Sequence, residues 1–301
     1  MTRSHLSFPH AMLALAVMAV WGTNFVVMRI GLNHLPPLLF ATLRFALVVF
    51  PAILFLPRPK APWRRLIGYG LAIGVGQFGL LFIALNQGLS PGLASLVMQA
   101  QVFFTIGLSM LSTSERLRGF QWAALLLSVA GIVMIGMNGN GEATPVGLML
   151  ALVAAFGWAI GNTIQRQDAG ANMLAYVVWS SVFAVPPLAI LSLVFEGWPA
   201  ISAGVGAADA VTWFTVGWQA VGNSLFGYSA WGWLLGRYPA ASVAPMSLLV
   251  PIFGIAASVW WLGEPLQDWK ITAGLLVLTG LAINLLWPRI AAYLAAPGAE
   301  R

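Results

Sequence analysis

AMLALAVMAVWGTNFVVMRI, residues 11–30, carries no charge until Arg29. At 1.5 Å per residue a helix of this length reaches about 30 Å, the thickness of a bilayer's hydrocarbon layer. Similar apolar runs follow at 37–56, 66–86, 93–112, 120–137, 145–165, 173–194, 211–235, 241–262 and 269–288. Lipid offers the backbone no hydrogen bonds, so each run must satisfy its own amides, as a helix does; a β-barrel would alternate apolar and polar residues instead. Composition leads the same way: of 301 residues, 60% are hydrophobic and 7% charged, too little polar surface to cover a soluble globule. The expected fold class is an all-α polytopic membrane protein with ten transmembrane helices. The first run is too long for a signal-peptide core and ends in Arg29 instead of a cleavage site, so it is expected to be retained. The absence of cysteine excludes disulfides, thiolate nucleophiles and thiolate metal sites.

Charge falls on alternate gaps. Arg58, Lys60, Arg64 and Arg65 lie between the second and third runs, Arg116 and Arg118 between the fourth and fifth, and Arg166 and Arg237 in the next two even gaps. Arg3 precedes the first run, and Arg289 and Arg301 follow the last. Arg29 and Lys270 sit at run ends on the other side, and Arg44 lies inside a run. Positive residues are retained on the cytoplasmic face, so both termini are expected there, which an even number of crossings allows. The net charge of +6 is then a topology signal and a contact for anionic lipid. Its scatter over five segments makes nucleic acid a poor partner.

The two halves match at slowly drifting offsets. Trp21 and Arg29 correspond to Trp158 and Arg166; Arg44 and Pro51 to Trp179 and Pro186; Phe78, Gly79, Gly88 and Pro91 to Phe226, Gly227, Gly236 and Pro239; Glu115, Leu117 and Gly131 to Glu264, Leu266 and Gly280. The expected division is residues 1–140 and 141–301. Each half holds five crossings, an odd number, so the second enters the membrane from the opposite side. Two inverted five-helix repeats can exchange conformations and open a central site to either side in turn.

Trp-Gly-Thr-Asn at 21–24, Pro-Pro-Leu-Leu-Phe-Ala-Thr-Leu-Arg at 36–44 and the Glu-x-Leu elements at 115–117 and 264–266 resemble the drug/metabolite transporter superfamily, in its EamA-type ten-helix branch. Within that branch the chain is most similar to the YddG-type exporters of aromatic amino acids. The resemblance spans about residues 11–288 and implies 5+5 inverted repeats, a bacterial inner-membrane location and export of metabolites, commonly amino acids.

The candidate path residues are polar or aromatic groups at buried depth. Arg44 lies about 10 Å from one end of its helix; it could attract a substrate carboxylate, or brace the bundle by bonding helix-end carbonyls or Glu264. Gln99 and Gln101 on the fourth run, with Ser247 and Pro251 on the matching ninth, mark two cavity walls, because proline frees backbone carbonyls that a cavity can satisfy. Asn24, Gln77, Asn162, Asn223 and Tyr228 add neutral polar groups, which could equally tie helices together. Trp21, Trp158, Trp179 and Trp231, with Phe25, Phe78, Met98 and Phe226, could accept an apolar side chain. Such a site suits a zwitterion with a hydrophobic side chain.

All eight acids fall in loops or at helix ends, and proton-driven carriers generally need a buried acid or histidine. Transport is therefore expected to run without proton coupling. No cluster of His and carboxylates offers a metal site, and no cofactor is expected. The expected partners are a small-molecule substrate and the lipid bilayer, and a monomer is compatible with this reading. A general drug or metabolite efflux carrier and a passive channel are the nearest alternatives. A membrane-embedded enzyme would need paired acids or histidine bases that the loops do not supply.

Overall fold

The computed structural model of the chain describes residues 7–113, 118–139, 141–168, 170–238 and 240–294. The first Glu-x-Leu element, Pro239 and the terminal residues Arg3, His5, Glu300 and Arg301 lie outside them. The described residues form helices and no strand; an isolated bridge between Leu89 and Ala143 ties two turns together. We number the crossing helices α1 (Phe8–Gly31), α2 (Pro37–Val49), α3 (Trp63–Asn86), α4 (Pro91–Leu111), α5 (Gly119–Asn138), α6 (Pro145–Arg166), α7 (Met173–Leu191), α8 (210–237), α9 (Ala244–Leu262) and α10 (Asp268–Leu294).

Among the described residues nine helices are long and apolar enough to cross a membrane. The tenth, α8, is as long but less apolar, since Gln219, Asn223 and Ser224 interrupt it; all three are buried against other helices. Two expected boundaries shift. α2 ends at Val49 rather than near 56, because Pro51 has no N–H to continue it, and a short 3-10 turn, Ala52–Leu54, follows. After α7 the backbone turns at Gly197, whose φ of 78° suits a residue without Cβ, into a separate helix, Gly197–Ala207, that the hydrophobicity pattern did not resolve. Glu196 ends that turn by accepting the Leu38 and Leu39 N–H groups at 2.6 and 3.0 Å, which satisfies the free start of α2.

Helix pairing is symmetric on exchange of the halves. α1 packs on α9 as α6 packs on α4; α3 packs on α6 and α7 as α8 packs on α1 and α2; α2 meets α7, and α5 meets α10. Irregularities are duplicated as well: π-helical turns occupy Leu71–Gly79 and Trp218–Phe226, and 3-10 turns occupy Met98–Ala100 and Ala244–Leu248. The α5–α10 contact is close because Gly131 and Gly280 bear no Cβ; added there, one would lie 2.7 Å from the Val277 side chain and 2.3 Å from Ser128 Oγ.

Candidate functional site

Where α1, α3, α4, α6, α8 and α9 converge, they leave a narrow cavity. Trp21, Asn24, Phe25, Gln77, Phe78, Met98, Gln99, Trp158 and Tyr228 line it, all expected from the sequence, together with Asn223. Trp21 Nε1 donates to the Asn223 carbonyl at 3.2 Å, and its ring leans on Tyr228 at 5.4 Å and Trp231 at 5.6 Å. Asn24 exchanges amide hydrogen bonds with Gln219 at 2.8 and 3.4 Å, so it acts partly as the interhelical tie that a buried amide commonly forms.

Met28, Leu81, Ser95 and Val250 also line the cavity and were missed. The first three lie one helical turn from Phe25, Phe78 and Met98, so the i,i+3 spacing carried their signal. Val250, an ordinary apolar residue in an apolar helix, carried none.

Several expected residues stand elsewhere. Gln101 and Asn162 bond each other at 2.9 Å and tie α4 to α6 away from the cavity. Trp179 Nε1 donates to the Leu56 carbonyl at 3.0 Å beside Trp63, because the chain after α2 folds back over α7 and offers an open carbonyl. Phe226 is 38% exposed; Gly227 next to it lies directly against the Trp21 indole, which fills that side of α8. Trp231 stands behind Trp21, Ser247 Oγ bonds the Ala244 carbonyl of its own helix at 2.7 Å, and Pro251 is buried beside Val250 outside the lining.

Arg44 is fully buried and bonds neither helix-end carbonyls nor Glu264, the partners expected of a brace; it ties α2 to α8 instead. Its Nη2 donates to Ser224 Oγ at 2.6 Å, and its guanidinium lies over the Phe78 and Phe45 rings at 3.7 and 4.7 Å. It lines a narrow side chamber that shares Phe78 and Tyr228 with the main cavity.

The end of the bundle distal to the start of α1 is sealed. Every residue of Pro91–Val97 is buried, and α1, α4 and α9 touch through small residues. A Cβ on Gly254 would lie 2.6 Å from Ser95, and one on Gly22 2.5 Å from Phe253 Cβ and the Val250 carbonyl. At the other end the same helices are less buried: Gly107 has open space around it and Leu111 is 87% exposed. The sealed end carries the charges of the distal loops. Lys270 pairs with Glu142 and donates to the Pro265 carbonyl at 2.8 Å. Burial holds the nearby Glu264 carboxyl above its ordinary range, against the lowering effect of a hydrogen bond from Ser90 and of Lys270. Asp209 is held below its ordinary range by the Thr212 N–H and hydroxyl that it caps.

The profile of the EamA-like transporter family matches residues 9–137 and again 145–286, one match over each set of five helices. The chain belongs to the EamA-like transporter family. This EamA-family protein is a multi-pass membrane transporter built as two inverted repeats, and its mid-bundle cavity lies where the repeats meet. It is 44% identical over 284 residues to a "probable amino-acid metabolite efflux pump" of Salmonella typhimurium, covering 92% of this chain and 95% of that protein. A protein of the same description from Escherichia coli K12 is 42% identical over 93% of this chain and 96% of its own. A crystal structure at 19% identity aligns with a TM-score of 0.64 over 94% of this chain and 98% of its own, a likeness of fold.

Proposed function

We propose that this EamA-family transporter exports amino acids with aromatic or other hydrophobic side chains, or closely related metabolites, by alternating access through the mid-bundle cavity. The observation that carries this reading is the cavity wall itself, in which Trp21, Phe25, Phe78, Met98 and Trp158 surround neutral amides with no carboxylate among the lining residues. Apolar walls with a few placed polar groups fix a ligand's orientation while accepting its greasy part. The efflux-pump relatives, similar over nearly their full length, support export of amino-acid metabolites as the broader class.

The remaining parts of the proposal concern placement and coupling. The protein resides in the bacterial inner membrane with both termini cytoplasmic, as the bias of Arg58, Arg64, Arg65, Arg166 and Arg237 to one end of the bundle suggests. The repeats divide near residue 140, between α5 and α6. Transport proceeds without stoichiometric proton movement, a monomer sufficing, because the acids of the described residues stand at helix ends. The sealed distal end is one of two states, and exchange of conformations between the halves opens it.

Counterflow of labelled phenylalanine, tryptophan, leucine and alanine into proteoliposomes tests the substrate class. The aromatic and branched amino acids are expected to exchange, alanine weakly. Trp158→Ala and Gln99→Ala are each expected to lower phenylalanine counterflow by about tenfold, the order of effect of one good contact. Exchange of an unrelated metabolite with none of the amino acids would overturn the assignment.

A further inference from the structure

Arg44 is the largest fully buried side chain among the described residues, and its hydrogen-bonding capacity is only partly used. Nη2 reaches Ser224 Oγ, whereas Nε and Nη1 have no partner, and no carboxylate of the described residues pairs with the guanidinium. A buried cation left with open N–H groups is costly, and stacking on two phenyl rings offsets only part of that cost. The neighbouring serine hydroxyls do not compensate for the charge: Ser180 and Ser181 donate to the Tyr176 and Val177 carbonyls of their own helix at 2.6 and 2.7 Å. The side chamber that these residues line is therefore electropositive, with no carboxylate among its lining residues.

The adjoining main cavity shows the complementary feature. Gln77 Oε1 is buried without a partner, and Gln77 precedes Phe78, the ring on which Arg44 lies. Phe78 and Tyr228 belong to both spaces, so open donors stand in the chamber and an open acceptor stands in the cavity, on either side of a shared aromatic wall.

Resting on the amino-acid reading above, we propose that, once movement of the halves widens the narrow side chamber, Arg44 binds the substrate's α-carboxylate there and Gln77 accepts from its α-ammonium, while the side chain lies among the aromatic residues of the main cavity. Arg44 suits the task because its planar fork matches a carboxylate. The Ser224 hydroxyl positions it by accepting from Nη2 and donating to the Gln219 carbonyl at 3.1 Å, which leaves the other two nitrogens free. Selection for the intact zwitterion follows, since an analogue lacking the carboxylate leaves the guanidinium buried and unpaired.

Competition against counterflow of labelled phenylalanine into proteoliposomes holding the intact chain tests this directly. Phenethylamine, which lacks the carboxylate, is expected to compete at least about tenfold more weakly than phenylalanine, and 3-phenylpropionate, which lacks the ammonium, also more weakly. In Arg44→Met the phenylalanine-to-phenethylamine preference is expected to collapse to about twofold or less, with Arg44→Lys between; in Gln77→Leu the preference over 3-phenylpropionate is expected to fall. Equal competition by phenethylamine and phenylalanine in the unsubstituted protein would overturn the proposal without any variant having to fold. So would an unchanged preference in an Arg44→Met protein that remains monodisperse and transports. If the unsubstituted protein carries no amino acid at all, the substrate assignment fails first, a result distinct from loss of carboxylate selection alone.

Discussion

Single residues at the distal end couple stability to pH. The Glu264 carboxyl lies beside Gly92 and Ser258, with Oε1 unpartnered, and burial raises its affinity for a proton in the folded state. A carboxyl whose folded value lies above its unfolded one holds more protons when folded, so folding weakens as pH rises through the window above the ordinary carboxylate value of 4.5. Melting temperatures of detergent-solubilised protein between pH 4 and 8 are expected to fall with pH, and Glu264→Gln to flatten that slope while matching the parent near pH 4. An identical slope in the variant would remove Glu264 as its source. The amide pair of Asn24 and Gln219 makes a second residue-scale prediction. Asn24→Leu leaves Gln219 without its reciprocal partner and is expected to cost about 1 kcal/mol, read as a lower melting temperature. Residue identity alone foretold ten of the cavity-lining residues, because a polar or bulky aromatic group at mid-membrane depth stands out against aliphatic neighbours. It misjudged Gln101, Asn162 and Trp179, because the same polar groups serve equally well as ties between helices, and only a partner's position distinguishes the two uses.

At the scale of helices, the duplicated π-helical turns in α3 and α8 and the glycine contacts of α1, α4 and α9 control how the cavity is enclosed. A π turn inserts a residue and frees hydrogen-bonding groups, and such turns frequently occur at functional sites. In α8 it presents Gln219 and Asn223 toward α1 and Ser224 toward Arg44. Hydropathy could not reveal this, because a π turn and an α turn have the same composition. The seal between α1 and α9 depends on Gly22, whose Cβ would collide with backbone as well as side chain. Gly22→Val is expected to force the helices apart at a cost of about 1 to 3 kcal/mol. The chain has no cysteine, so Ser95→Cys supplies a single reporter within the seal. Labelling of that thiol by a membrane-impermeant maleimide is expected to be slow in the parent and several-fold faster with Gly22→Val; equal rates would show that the glycine contact does not keep the distal end closed.

For the molecule as a whole, two halves of similar sequence pack through contacts that survive their exchange. Reporter enzymes fused to either end are expected to report the cytoplasm, and ends in different compartments would break the inverted-repeat reading. The α5–α10 contact is expected to hold the halves together, so Gly131→Leu, which drives a side chain into Val277, should lower the melting temperature while leaving amino-acid selectivity unchanged. Helix number, the odd count per half and the repeat were legible in the chain because the bilayer imposes a fixed length on each apolar run and leaves charge only at the ends. The sequence by itself therefore determined the all-helical, twofold architecture and most of the aromatic cavity wall. Only the tertiary structure decided which buried polar groups pair with each other and which remain open. A hydrogen bond between distant helices depends on relative depth and rotation, and those are fixed by the packing of both helices together.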